Sequence, residues 1–315
     1  ELADALVWAN NNKTNFTTTS LQIWVAGGTY KPLYSPEDGA NFGTDQARDN
    51  AFLLVNNVQL YGGFAGTETT LLERDLTLTA NKTILSGDFN DDDSITRSGS
   101  TLSISNNAEN AYHVVVSTGS VGTALLDGFT VTGGRARYDG GGTNRIIVSG
   151  LSVNNENGGG MFVYNSSPNI INCKFTKNDG QGGAGVFLLN SSSKVINCVF
   201  SNSSSFLGGG LYVRNLSDGG PLVTLRNTLI AENYASFRGG ALVTLGSTLN
   251  MVNTNIINNV AASGGNGDYT SNSVITLNNR ILFGDTFNLG GDGPILKNSF
   301  GDGTLYDVSS TATTT

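Results

Sequence analysis

The 315 residues carry 25 Asp and Glu against 17 Lys and Arg, and the resulting charge of -8 with pI near 4.6 sets the chain against nucleic-acid phosphates and anionic membrane surfaces. Only 5 Pro and a charged fraction of 13% leave much of the sequence to 42 Gly and to Asn, Ser and Thr, residues of tight turns between short strands rather than of long helices. The longest apolar runs are strand-sized, which excludes a membrane-spanning helix, and no basic, apolar leader opens the chain.

Residues 1–10 (ELADALVWAN) are the one stretch with helical periodicity, placing Leu2, Ala5, Leu6 and Trp8 or Ala9 on one side. A first strand follows at 21–30 (LQIWVAGGTY), then a polar excursion over 31–50 and a second apolar segment at 51–64. TILSG, YHVVV and ALLDGFTVTGG continue as short strands ended by Gly, Asn or Asp, with the lone His113 set among apolar neighbours as a packed side chain rather than a base.

From 158 onward the chain repeats itself. NIINCKFTKN, KVINCVFSNS, TLRNTLIAEN and NMVNTNIINN align Asn172, Asn197, Asn227 and Asn253 at spacings of 25, 30 and 26, with Asn278 of ITLNNRILFGD as a fifth member. Such a period marks a solenoid, in which each coil buries its apolar face only against its neighbours. The Asn column is structural: it suits a left-handed bend and can hydrogen-bond up and down the stack. A second set of segments, GGGMFVYN, GAGVFLLN, GGGLYVRN and GGALVTL, puts Met161, Val186, Leu211 and Ala241 in one inward file and Val163, Leu188, Val213 and Val243 in another. Phe162, Phe187, Tyr212 and Leu242 then face outward. Cys173 and Cys198 share a column on consecutive coils, where stacked free thiols or a poorly aligned disulfide are both open.

IWVAGGTYKP, LYGGFAGTET, TILSGDFNDD, AYHVV, LLDGFTVTGG and the GGGM and NCxF coils resemble the right-handed parallel β-helix, pectate-lyase-like repeat proteins exported by bacteria of the Bacteroidetes type, and are similar to the repeats of polymorphic outer-membrane proteins. The resemblance runs from Leu21 to about Phe300 and speaks to fold more than to activity. It implies an all-β, single-stranded right-handed parallel β-helix of roughly ten to twelve coils, each rising about 4.8 Å. The expected organisation is an N-terminal cap at 1–20, the β-helix at 21–303 and a Thr/Ser-rich tail or linker at 304–315, with export and anchoring signals outside the chain.

Chemistry is expected where the repeat breaks. The acidic loop GDFNDDDS offers Asp88, Asn90, Asp91, Asp92 and Asp93, a run of oxygen donors that suits Ca²⁺ although no other cofactor is called for; it lacks the central Gly and the twelfth-place Glu of an EF-hand, and a solvated acidic turn is the alternative. The irregular stretch 133–157 gathers Arg135, Arg137 and Arg145 around Tyr138, a set able to grip a carboxylate or sulfate and stack on a sugar, or simply to be solvated. Phe162, Phe187 and Tyr212 offer an apolar ledge for a glycan or protein, unless they stack on one another or lie under the 31–50 excursion. Carboxylates in the regular coils are scattered singly, and no nucleophile-base set or phosphate loop is present. The expected role is a non-enzymatic, secreted or cell-surface binding scaffold of adhesin type, with glycans, surface proteins or copies of itself as partners; the alternative is a lyase or hydrolase of acidic polysaccharide.

Overall fold

A computed structural model describes residues 1–137, 139–140, 144–217, 220–283, 287–290, 295–301 and 305–306, with side chains as far as 278. The chain is all-β apart from one α-helix, Leu2–Asn11, and a few short 3-10 turns. Its strands form three stacked parallel sheets of sixteen, five and nine strands, which the chain visits in turn. One rung illustrates the pattern: Asn169–Ile171 and Lys174–Thr176 lie in the large sheet, Asp179–Gly182 in the five-stranded sheet and Val186–Leu189 in the nine-stranded sheet. Among the described residues the stack on the third sheet holds nine strands, and the excursion and two antiparallel hairpins occupy chain without adding to it.

The bends explain the composition. Each corner of that rung carries a residue with positive φ: Asn172 at 52°, Lys177 at 57°, Gly183 at 56° and Asn190 at 50°. Asn and Gly dominate these places because the left-handed region costs other L-residues about 1–2 kcal/mol. Asn172, Asn197, Asn227 and Asn253 recur there and are laddered, each Nδ2 donating to the Oδ1 before it at 3.1, 3.1 and 3.0 Å. The fifth member differs. Asn278 pairs with Val252 inside the unbroken strand Val274–Phe283, so the column falls one place later, at 279. A second, fully buried ladder follows the next corner, where Asn233 donates to Asn259 Oδ1 at 3.0 Å and Asn178 and Asn259 satisfy carbonyls of Val131 and Ile230. These amides pair corner backbone that burial would otherwise leave unsatisfied.

The inward files pack into one core from Leu2 to Leu277, including Phe175 stacked on Phe200 at 5.2 Å. Register places Leu242, not Ala241, opposite Leu211, and Thr244, not Val243, opposite Val213. Ala241 fills the third small place of the Gly-Gly-Ala corner, and Val243 joins the outward file opposite Tyr212. Cys173 and Cys198 are both free, buried and stacked in the core. The helix buries Leu2, Ala3, Leu6 and Ala9 at one end of this core. Trp8 stays 54% exposed and rests on Phe16.

Two hairpins depart from the rungs. Ser94–Ser98 with Thr101–Ser105 leans on the corner before the five-stranded sheet, through Arg97 to Asn202 and the Glu232 carbonyl, and through the Leu102 carbonyl to Ser204. Arg145–Val148 with Leu151–Asn154 folds over the nine-stranded sheet. No described helix is long and apolar enough to cross a membrane.

Candidate functional site: an acidic cluster beside a cleft

The strand Thr83–Ser86 ends at Gly87, and the next residue organises the loop. Asp88 is buried; its Oδ1 accepts the N–H groups of Asn90, Asp91 and Asp92 at 3.2, 2.7 and 3.4 Å, and its Oδ2 accepts that of Asp93 at 3.1 Å. Asp91 turns outward to Lys31, whose Nζ lies 2.6 Å from its Oδ2 and also donates to the Phe89 carbonyl. The loop is thus an ordered turn built around a buried carboxylate, not a freely solvated run of acids.

The segment returning from the first hairpin supplies what this loop faces. Asp88, Asp92 and Glu109 each place an oxygen within 4.8 Å of the others. Asn110 donates to Asp93 Oδ2 at 2.9 Å. Burial pushes the Asp93 carboxyl up to about 7; the Asn110 bond opposes this and the neighbouring Asp88, Glu109 and Asp92 charges reinforce it. Of the five residues expected to hold a metal, Asp88 and Asp92 enter the cluster, Asp93 borders it, and Asn90 and Asp91 point elsewhere. Sequence reading missed Glu109, which reaches the cluster only because the hairpin folds back.

Beside this cluster opens a cleft of about 460 Å³. Pro32, Leu33, Ala47 and Phe89 give it apolar walls, and Asp45, Arg48, Asn50, Asn90 and Glu109 give it polar ones. Arg48 is spent on the architecture: Nε donates to the Asn110 carbonyl at 2.8 Å, Nη1 to Asp139 at 2.6 Å and Nη2 to the Arg135 carbonyl, and the guanidinium lies 4.0 Å from the Tyr112 ring centre. Asp45 accepts from the Ala47 N–H and Asn50 Nδ2, which hold its carboxyl below the usual range.

The expected arginine cluster divides. Arg135 pairs with Asp139, and Arg137 reaches both oxygens of Asp179 at 2.8 Å. Burial raises Asp179 despite Arg137, and Asn107 also donates to it. Both guanidiniums end on carboxylates of the chain itself, the exposed Asp139 and the buried Asp179. Arg145 sits apart and exposed on the second hairpin, by a shallow depression with Asn144, Ile147, Ser152 and Asn154. Tyr138 lies outside the described residues.

The expected aromatic ledge is covered. Phe162, Phe187 and Tyr212 do leave the inner core, stacking at 5.5 and 5.1 Å, but Ile146, Val148 and Val153 of the second hairpin seal them into a second core. The exposed aromatics lie elsewhere: Phe206, 43% exposed, stacks on Phe237 at 5.0 Å, and Arg238 bridges Phe237 and Tyr269. The repeated phrase Ser-Phe-x-Gly-Gly at 205–209 and 236–240 is the signal that marks them. His113 is buried against Phe162, its Nδ1 3.0 Å from the Gly158 carbonyl, and just precedes the strand Val115–Thr118.

Comparisons with family models, with curated proteins and with solved structures return no match for this chain.

Proposed function

We propose that the rungs close into a single right-handed parallel β-helix capped by the N-terminal helix, and that the chain is a non-enzymatic binding scaffold of the cell exterior that takes a neutral glycan in the cleft between 32–50 and 89–109. The cleft itself carries the reading. It combines apolar walls at Leu33 and Phe89 with hydrogen-bonding groups at Asn90 and Glu109, the mixture that a sugar's apolar faces and hydroxyls require. Its charge favours a neutral ligand. Asp45 and Glu109 line it, and Arg48, its one lining cation, is committed to Asn110, Asp139 and Arg135. A polyanionic glycan would meet repulsion there.

Catalysis fits less well. Glycoside hydrolysis needs two carboxyl groups able to reach the scissile bond. Asp93, the carboxyl that burial raises to about 7, has Oδ1 sealed from solvent and Oδ2 on Asn110, which turns it away from a sugar in the cleft. The likeness to exported β-helix repeats supports the exterior location.

A glycan array and a depolymerisation assay, run with and without Ca²⁺, test this reading. Retention of neutral oligosaccharides without product is expected, weakened about tenfold in a Leu33→Ala, Asn90→Ala double variant. Release of reducing ends or unsaturated oligosaccharide would replace the scaffold with an enzyme.

A further inference from the structure

Three side-chain oxygens around the acidic cluster, Asp93 Oδ1, Glu109 Oε1 and Asn110 Oδ1, are sealed from solvent and accept no hydrogen bond. Asn110 is 1% exposed and borders the cluster, with Nδ2 donating to Asp93 and Oδ1 left without a donor. Buried acceptors without donors are costly, and several at once beside clustered carboxylates suit a cation. The nearest cations do not supply it: Lys31 is turned to Asp91 and the Phe89 carbonyl, and Arg48 to Asp139 and two backbone carbonyls.

We propose that Asp88, Asp92 and Glu109 hold a Ca²⁺ ion, with Asn110 and Asp93 bordering it, at the foot of the first hairpin. Donors that are all oxygen indicate a hard cation, and a site assembled from a turn and a distant return segment suits the adaptable shell of Ca²⁺ better than the strict octahedron of Mg²⁺. Asp88 and Asp92 stand at the first and fifth places of a calcium loop, but position 99, where such a loop carries its last carboxylate, is Gly. Glu109 supplies that carboxylate from the far side of the hairpin. The ion therefore ties residues 88–92, which enter the hairpin, to residues 109–110, which leave it. This clamp holds the hairpin where Arg97 reaches Asn202 and Glu232 on later rungs.

Tb³⁺ luminescence on the full chain, with Ca²⁺ as competitor, tests the site, and tryptic cleavage after Arg97 gives a second readout. Expected are one saturable site, binding weakened at least about tenfold by Glu109→Gln, and no more than about a threefold change from Asp91→Asn, whose exposed pair with Lys31 contributes little. Chelation should hasten cleavage after Arg97 in the wild type and leave Glu109→Gln unaffected; if that variant does not fold, Asp92→Asn takes its place. Absence of saturable binding, equal losses from Glu109→Gln and Asp91→Asn, or equal competition by Mg²⁺ would overturn the assignment. The site shares Glu109 with the cleft of the glycan reading, but luminescence and cleavage report it without any sugar, so failure of either reading is seen separately.

Discussion

Asp127 shows how one residue ends a ladder. Asn172 donates to its Oδ1 at 2.8 Å, and Arg74 reaches both of its oxygens at 3.1 Å from the opposite side, so the Asn column terminates on an ion pair. Both partners are largely buried, and Arg74 also covers the Tyr61 ring. Removing one partner of such a pair leaves the other charge stranded, so Arg74→Met and Asp127→Asn should each cost about 3–5 kcal/mol in urea unfolding, the second by leaving the guanidinium without its counter-charge although an acceptor for Asn172 remains. His113 is a second such case. Burial pushes its imidazole down to about 4, outweighing the upward pull of the Gly158 and Asn154 carbonyls. Because the folded value lies below the ordinary one near 6.5, the unfolded chain binds the extra proton; the contribution of His113 is fully present above pH 6.5 and falls by about 3 kcal/mol as pH drops to 4, while Asp93, raised by burial, contributes with the opposite sign over the same window. The difference in urea midpoint between wild type and His113→Gln isolates the first contribution and should shrink as pH falls from 6.5 to 4.

Among the elements, the second hairpin shows what could and could not be read from residues. Its strands alternate, RIIV against LSVN, across a Ser149-Gly150 turn with φ of 53° and 72°, a two-residue hairpin signal lying inside what reads as an irregular loop. The inner files as far as Leu211 and Val213 and the Asn corners as far as Asn253 were legible because each repeats and depends on near neighbours; beyond them the reading slips by one place, at Leu242, at Thr244 and at Asn278. The cover over Phe162, Phe187 and Tyr212 was not, since outwardness from the coil says nothing about what a distant insertion lays on top. Glu109 was hidden for a related reason: the first hairpin separates it from Asp92 in sequence and brings it back in space. Replacing residues 144–154 by a short Gly-Ser linker should expose the second core, giving strong hydrophobic-dye binding and loss of solubility while the stacked rungs retain their β signal. Unchanged dye binding would mean that the hairpin is not the cover.

At the scale of the molecule, the rungs from 158 to 278 spend their polar side chains largely on one another. Asn ladders hold two of the corners, Ser191 and Ser193 bond each other at a third, and Gly fills the tight turn between the five- and nine-stranded sheets. The stability of such a stack is a sum of neighbour contacts. Insertions near the N-terminal end, by contrast, bring together an open cleft, orphaned acceptors and clustered carboxylates. We propose that ligand recognition resides there and not along the rungs. Hydrogen exchange with and without a glycan taken from the array decides between the two: slowed exchange is expected in 31–50 and 88–110 and unchanged exchange in 158–278, whereas protection along the rungs, centred on Phe206 and Phe237, would place recognition on the stack.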